Sequence, residues 1–268
     1  MIEGRKKKFI RELSEKRKTR TESGLFLVDG PKMCREIPLS LVKEVYVTEN
    51  FLASPHRETC GELLKTKGYE LITEADMKQI SDTVTPQGIL CVVTQPKIKG
   101  IQALLEENRN ETPLLIILET LQDPGNLGTI FRAGEAAGVT GIIMNDLTAD
   151  VYAPKVVRST MGSIFRVPFV YVKDLREAAH SLRSGMYTEG VPVDILAGDL
   201  RGNTDYTEFD YRKPAAYMIG NESKGLTEEL IDCATVRIRI PMKGSVESLN
   251  AAMAATVIGF EAARQRRQ

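Results

Sequence analysis

Ala215-Ala216-Tyr217-Met218-Ile219 runs directly into Gly220-Asn221-Glu222-Ser223-Lys224-Gly225-Leu226. A little farther on, Val236-Arg237-Ile238-Arg239-Ile240-Pro241-Met242 leads to Ser248-Leu249-Asn250, at the mouth of a long apolar helix. Two strand-to-loop exits carrying polar groups therefore lie close together in the chain. An open α/β sheet builds a ligand crevice in this way, at the carboxyl ends of its strands.

Upstream, strands and helices alternate. Residues 5–20 read as a helix, Leu25–Val28 as a strand, Val45–Thr48 as a second, and Arg57–Thr66 as a helix stopped at Gly68. Tyr69–Ile72, a short helix over Ala75–Ser81 and the apolar strand Gly88–Val93 complete a small α/β/α domain. Gln95–Gly100 is polar with Pro and Gly, and a short helix follows over Ile101–Asn108. The expected division is 1–100 as one domain, 101–111 as linker and 112–268 as a second domain.

In the second half, Leu114–Leu118 is fully apolar, as strands inside parallel sheets are. It exits through Asp123-Pro124-Gly125-Asn126 into a helix over Leu127–Ala137, stopped by Gly138. Strands at Gly141–Met144, Phe169–Val172 and Val193–Leu196 alternate with helices at Val156–Ser163 and Leu175–Ser184. The fold class is α/β with a parallel sheet in the second domain.

Composition excludes several classes. The chain is 42% hydrophobic and 27% charged, with no Trp and no apolar run long enough to cross a membrane, so a cytoplasmic globular protein is expected. The N-terminus is basic without an apolar segment behind it, unlike a secretory signal. Cys34, Cys60, Cys91 and Cys233 are scattered, and His56 and His180 have no ligand-type neighbours at metal spacing. Free thiols and no metal site are expected. The 36 basic and 36 acidic residues balance, yet the first twenty residues hold nine basic side chains against three acidic. That run is either a solvated helical arm or a phosphate-contacting patch, and both readings stay open.

No G-x-G-x-x-G follows a strand. Gly220 to Gly225 has the G-x-x-x-x-G spacing of a phosphate loop, but Leu226 stands where the cation is required. What remains is a set of polar groups at three exits: Asn126 and Arg132, Asn221 and Glu222, Ser248 and Asn250. Taken singly, Asn126 and Ser248 read as helix caps and Arg132 as a surface cation. Together, with Gly and Pro around each exit, they read as a built site.

Here the sequence resembles a known family. Asn126-Leu-Gly-Thr-Ile-Phe-Arg132-Ala-Gly-Glu-Ala-Ala-Gly138, Ile219-Gly220-Asn-Glu222-Ser-Lys-Gly225-Leu226 and Ile240-Pro241-Met242-Lys-Gly244-Ser-Val-Glu-Ser248-Leu249-Asn250 are similar, in order, to the three motifs of the SpoU/TrmH RNA 2′-O-methyltransferases of the SPOUT superfamily. The resemblance covers about residues 112–266. The first hundred residues look like that family's extra RNA-binding α/β/α module, itself similar to small kink-turn-binding ribosomal proteins. Arg17-Lys18-Thr19-Arg20 and Phe26–Gly30 carry that second, looser match.

The resemblance implies a deep C-terminal trefoil knot, a homodimer, and S-adenosylmethionine as cofactor. It places the cofactor on Leu196 and Gly198, on Met218, Ile219 and Gly220, on Ile240 and Met242, and beside Ser248, Leu249 and Asn250. Apolar walls with a few fixed polar groups suit an adenine ring. It makes Arg132, Asn126, Glu222 and Asn250 the catalytic set, and Arg17, Lys18, Arg20 and Arg132 the RNA contacts. Family members commonly carry a small polar residue shortly after Ser-Leu-Asn. Ala251 and Ala252 stand here instead, which removes any side-chain hydrogen bond from position 252.

A guanidinium is always protonated, so Arg132 is better suited to bind a phosphate and stabilise alkoxide charge than to act as base. The stripe Leu249, Met253, Val257 and Phe260 serves either the core or a partner helix. Ribosomal RNA is the favoured substrate because a separate RNA-binding module suits a large structured target. A tRNA 2′-O-methyltransferase is one alternative. A non-catalytic RNA-binding or ribosome-assembly protein on the same fold is the other.

Overall fold

The computed structural model describes residues 2–96, 98–245 and 248–267. Val246 and Glu247 of the third motif lie outside the described residues. The chain divides into two compact units, one formed by Met1–Lys97 with Asp150–Phe165, the other by Ile98–Ala149 with Arg166–Gln268.

The first unit opens with two helices, α1 (Gly4–Glu15) and α2 (Arg17–Ser23), where one was expected. Lys16 is extended between them, and its N–H closes α1 on the Glu12 carbonyl. Gly24, left-handed at φ 66°, ends α2 and turns the chain into β1 (Leu25–Asp29). Then come α3 (Pro31–Cys34), β2 (Val42–Val47), α4 (Glu49–Ala53), α5 (His56–Thr59), α6 (Gly61–Lys67), β3 (Glu70–Leu71), α7 (Glu74–Ile80) and β4 (Ile89–Thr94). The helix expected over 57–66 is broken in two at Cys60. The sheet order is β1-β4-β2-β3, with β4 antiparallel to both neighbours. Ile10 and Leu13 of α1 pack with Met77 and Ile80 of α7 against Tyr46, Leu90 and Val92.

In the second unit, α8 (Gly100–Glu107) occupies most of the stretch expected as linker, and Ile101 and Leu104 enter this unit's core. After it come β5 (Leu114–Leu118), α9 (Pro124–Ala137) and β6 (Gly141–Asn145). Next, α10 (Pro154–Thr160) folds with the first unit, where it packs on β1. The remaining elements are β7 (Phe169–Val172), α11 (Leu175–Arg183), β8 (Asp194–Gly198), β9 (Thr204–Asp205), β10 (Ala215–Ile219), α12 (Glu228–Ile231), β11 (Val236–Arg239) and α13 (Ala251–Arg266).

All pairings in the seven-stranded sheet β7-β6-β5-β10-β8-β11-β9 are parallel. Every residue of β5 and β10 is buried, which explains their uninterrupted apolar runs. Chain order departs in opposite directions from the β5–β10 pair. From β5 the chain goes outward to β6 and β7, and from β10 it goes to the β8–β11 side. That divergence is a topological switch point, where open sheets leave a crevice at the carboxyl ends.

Helix α13 lies on β10 and α9 through small residues. A Cβ on Gly259 would stand 2.9 Å from the Tyr217 hydroxyl and 3.3 Å from the Ala137 Cβ. Its last turn is held by Arg266, whose guanidinium donates to the carbonyls of Tyr211, Thr112, Pro113 and Lys213. The core side of α13 is Ala251, Ala252, Ala255, Ile258, Gly259, Ala262 and Ala263. Met253 and Phe260 of the expected stripe face out, 55% and 43% exposed.

Candidate active site

Three loops meet at the switch point, and their polar side chains form one chain of hydrogen bonds. The exit of β5 carries Asp123, whose Oδ1 accepts the Asn126 N–H at 2.7 Å and so caps α9. Asp123, not Asn126, is the cap, and the Asn126 side chain is left free to reach outward. Its Nδ2 donates to Glu222 Oε1 at 3.1 Å, and its Oδ1 accepts from Asn250 Nδ2 at 2.9 Å. Glu222 also accepts the backbone N–H groups of Gln122 and Asp123, at 3.1 and 2.9 Å. Asn250 completes the circuit as the cap of α13, with Oδ1 accepting from Ala252 N at 2.9 Å and Met253 N at 3.3 Å. The backbone at position 252 thus takes the bond that a polar side chain there is not needed to make.

Burial alone would raise the Glu222 carboxyl, but the Asp123 and Gln122 N–H groups and the Asn126 amide outweigh it. Its pKa lies below the ordinary glutamate value.

The loop after β10 is tight because the backbone crosses itself. Asn221 and Gly225 exchange both backbone hydrogen bonds, at 3.0 and 2.9 Å. A Cβ on Gly220 would lie 2.1 Å from the Gly225 carbonyl carbon, so only glycine closes this turn. The phosphate-loop spacing is therefore a packing requirement. Asn221 ties the loop to the β5 exit through Nδ2 to the Thr120 carbonyl at 2.9 Å. Thr120 itself sits at φ 54°, held by its N–H and Oγ1 bonds to the Asn145 amide. Non-glycine residues adopt such a conformation only when their surroundings enforce it.

Beside this circuit opens a cavity of about 590 Å³, within the usual range for small-molecule sites. Among the expected cofactor residues, Gly198, Ile219, Gly220, Ile240, Met242, Ser248 and Leu249 line it. Leu196 and Met218 are wholly buried and do not line it, and Asn250 belongs to the hydrogen-bond circuit rather than the wall. A Cβ on Gly198 would stand 3.2 Å from the Met218 carbonyl, so the floor is close-packed backbone. Backbone groups between aliphatic walls fit an adenine-bearing cofactor. Sequence reasoning missed Asp199, Leu200, Arg201 and Glu228, which also line the cavity. No periodicity or motif marks them.

Arg132 lies on the outer side of α9, exposed, with no hydrogen bond or ion pair among the described residues. It follows Asn126 by six positions, a rotation of roughly 240° at about 100° per residue, so the two side chains leave the helix on different faces. The structure does not bring Arg132 to the cavity of its own chain.

One expected RNA contact is overturned. Arg20 is 4% exposed and its guanidinium is consumed inside the first unit. Nη2 pairs with Asp150 at 2.7 Å, and Nη1 donates to the carbonyls of Leu13 and Ser14 at 2.7 and 3.1 Å. Most of the basic run is similarly answered within the unit: Lys6 by Glu70, Lys7 by Asp76, Arg11 by Glu15, Lys16 by Glu12 and Lys18 by Glu22. Arg17 and Lys18 remain exposed on α2. Among the described residues no three His, Cys, Asp or Glu side chains are placed to hold a metal, and no helix is long and apolar enough to cross a membrane.

A parallel sheet with a polar circuit and an aliphatic, backbone-floored cavity at its switch point defines an α/β enzyme for a nucleoside-bearing cofactor. Comparison with known proteins makes this specific. Residues 113–260 match the SpoU rRNA Methylase family, and residues 5–91 match the MRM3-like substrate binding domain. The 23S rRNA (uridine(2479)-2′-O)-methyltransferase of Streptomyces viridochromogenes is 34% identical, covering 93% of this chain and 86% of that protein. The 23S rRNA (guanosine(2553)-2′-O)-methyltransferase RlmP of Bacillus subtilis (strain 168) is 30% identical, covering 91% and 90%. The crystal structure of the SpoU methyltransferase AviRb from Streptomyces viridochromogenes in complex with the cofactor AdoMet superposes with a TM-score of 0.83 at 31% identity, covering 98% of each chain. The chain belongs to the SpoU rRNA methylase family. It is an S-adenosylmethionine-dependent RNA methyltransferase.

Proposed function

We propose that this enzyme methylates a ribose 2′-hydroxyl of ribosomal RNA, with large-subunit RNA as the target. The observation that carries the reading is the Asn126–Glu222–Asn250 circuit, which joins all three motif loops beside a cavity suited to the cofactor. Two relatives that match nearly the whole chain are 23S rRNA 2′-O-methyltransferases, which favours ribosomal RNA over tRNA. When bound, the cofactor supplies an already activated methyl on its sulfonium.

The chain's own residues align a poor nucleophile and stabilise the charge that develops on it. Arg132, exposed and without a partner among the described residues, binds the phosphate next to the target ribose and stabilises the negative charge that develops on the 2′-oxygen as its proton passes to water. Glu222, held ionised by its donors, fixes the Asn126 amide. Asn250 holds the same amide from the other side and keeps α13 in register with the site.

The protein works as a homodimer through the outward face of α13, where Met253 and Phe260 are exposed. In that dimer Arg132 serves the cavity of the partner subunit, which accounts for its absence from its own. The loops around Gly198, Gly220 and Ile240 with α13 form the trefoil knot implied by the motif order. The first unit is an RNA-binding module of the kink-turn-binding type, with Arg17 and Lys18 among its contacts, and the enzyme acts in the cytoplasm.

The test is Arg132→Ala. Turnover should fall about a hundred- to a thousandfold, the scale of losing a group that stabilises transition-state charge, with cofactor affinity within a few-fold. Undiminished turnover would remove Arg132 from the mechanism.

A further inference from the structure

The loop after β8 holds a guanidinium at the cavity mouth by a folded turn. Asp199 N–H donates to the Ile238 carbonyl at 3.0 Å, and Gly202 N–H closes on the Asp199 carbonyl at 2.9 Å. A Cβ on Gly202 would stand 2.8 Å from the Arg237 carbonyl oxygen, so the turn lies against β11 only because that residue is glycine. Within it, the Asp199 carboxylate accepts from Arg201 Nε at 3.2 Å and Nη2 at 2.8 Å, a two-pronged grip. Arg201 Nη1 points the other way and meets Glu228 Oε1 of α12 at 2.7 Å.

The two pairings differ in kind. The Asp199 side chain is 9% exposed, whereas those of Arg201 and Glu228 are 61% and 62% exposed. Asp199 is an anchor. The Arg201–Glu228 pair is wet, contributes little by itself, and is easily opened. The other charged residues of the cavity are disposed differently. Glu222 is committed to Gln122, Asp123 and Asn126, while Lys224 and Arg239 have no acidic partner among the described residues. Among the described residues that line the cavity, Arg201 and Glu228 are opposite charges from two different elements that meet at its opening.

We infer that Arg201 and Glu228 form a clasp for the amino-acid end of the cofactor, which rests on the assignment of this cavity to S-adenosylmethionine. That end is a zwitterion. Entering the pair, its carboxylate takes the Arg201 Nη1 donor and its ammonium takes the Glu228 carboxylate. Each side chain exchanges a mutual bond for one to the ligand, and no charge is left unpaired. An RNA phosphate fits this place poorly, because Arg201 is flanked by two carboxylates and the trio is net negative. The clasp therefore selects for the intact amino acid on the cofactor, while the aliphatic walls select for the nucleoside.

Titration calorimetry on the full chain tests this with two probes. S-adenosylhomocysteine carries the amino-acid end, and 5′-methylthioadenosine keeps the nucleoside and sulfur without it. Arg201→Ala should weaken S-adenosylhomocysteine by about tenfold or more, the scale of a lost charge-assisted hydrogen bond, and leave 5′-methylthioadenosine within about twofold. Glu228→Gln should show the same selectivity with a smaller loss. Equal weakening of both probes, or of neither, overturns the clasp while leaving the cavity assignment standing. If the unaltered protein binds neither probe, the cavity assignment falls and the clasp with it.

Discussion

Asn250 Nδ2 donates to Asn126 Oδ1 at 2.9 Å, tying the cap of the last helix to the first turn of α9 across 124 residues of sequence. This bond couples the position of α13 to the loops that surround the cavity.

Asn126→Ala removes both links of the circuit and leaves the Asn250 amide and Glu222 carboxylate each short of a partner. The expected loss is about 1–2 kcal/mol of unfolding free energy and a clear fall in methyl transfer. Asn126→Asp should be worse than alanine, because it sets a second carboxylate against Glu222 Oε1. Denaturant melts and turnover on both variants check this, and a variant of wild-type stability and rate would contradict it.

Glu222 gives the site an acid limit. Its folded pKa is depressed, so the unfolded chain takes up the proton more readily. The stability it contributes is present above the ordinary glutamate pKa of about 4.3 and is lost as pH falls through the lower folded value. In Glu222→Gln an amide oxygen can satisfy only part of the Gln122, Asp123 and Asn126 donors. The stability difference between wild type and this variant should be full at neutral pH and shrink below the ordinary glutamate range. A difference that stays constant into acid would show that the ionised form is not what the loop requires.

Arg20 and its neighbours on α2 should separate cleanly. Arg20→Ala leaves Asp150, 11% exposed, without its partner, and should cost about 3–5 kcal/mol of stability. Lysine should not restore it, since it lacks the fork that serves Asp150 and two carbonyls together. Arg17→Ala and Lys18→Ala should leave stability within about 0.5 kcal/mol and flatten the salt dependence of RNA binding. Unfolding and filter-binding titrations would expose the reverse pattern.

The parts of the fold legible in the sequence were those with enough repeated residues to carry a pattern. β5 and β10 stand where the apolar runs placed them, because strands buried on both faces read as unbroken runs. The two-residue β9 and four-residue α12 are too short for any periodicity to mark. Nothing local marks 150–165 as belonging with the first unit. Arg20 could not be told from Arg17 and Lys18, since only tertiary structure puts an aspartate from position 150 beside one of them. At the site, Asn126, Glu222 and Asn250 were found through motifs, and they do meet. Arg201 and Glu228 were not, because their pairing depends on a loop geometry that no residue spacing encodes.

The central claim is ribose methylation of ribosomal RNA. It is tested most directly by incubating the purified protein with methyl-labelled S-adenosylmethionine and, separately, unmodified large-subunit ribosomal RNA and total tRNA, then mapping the label after nuclease digestion. The account predicts label at a single 2′-O-methyl nucleotide of the ribosomal RNA, and none with Arg132→Ala. Label on a base, label in tRNA alone, or no transfer to either RNA would contradict it.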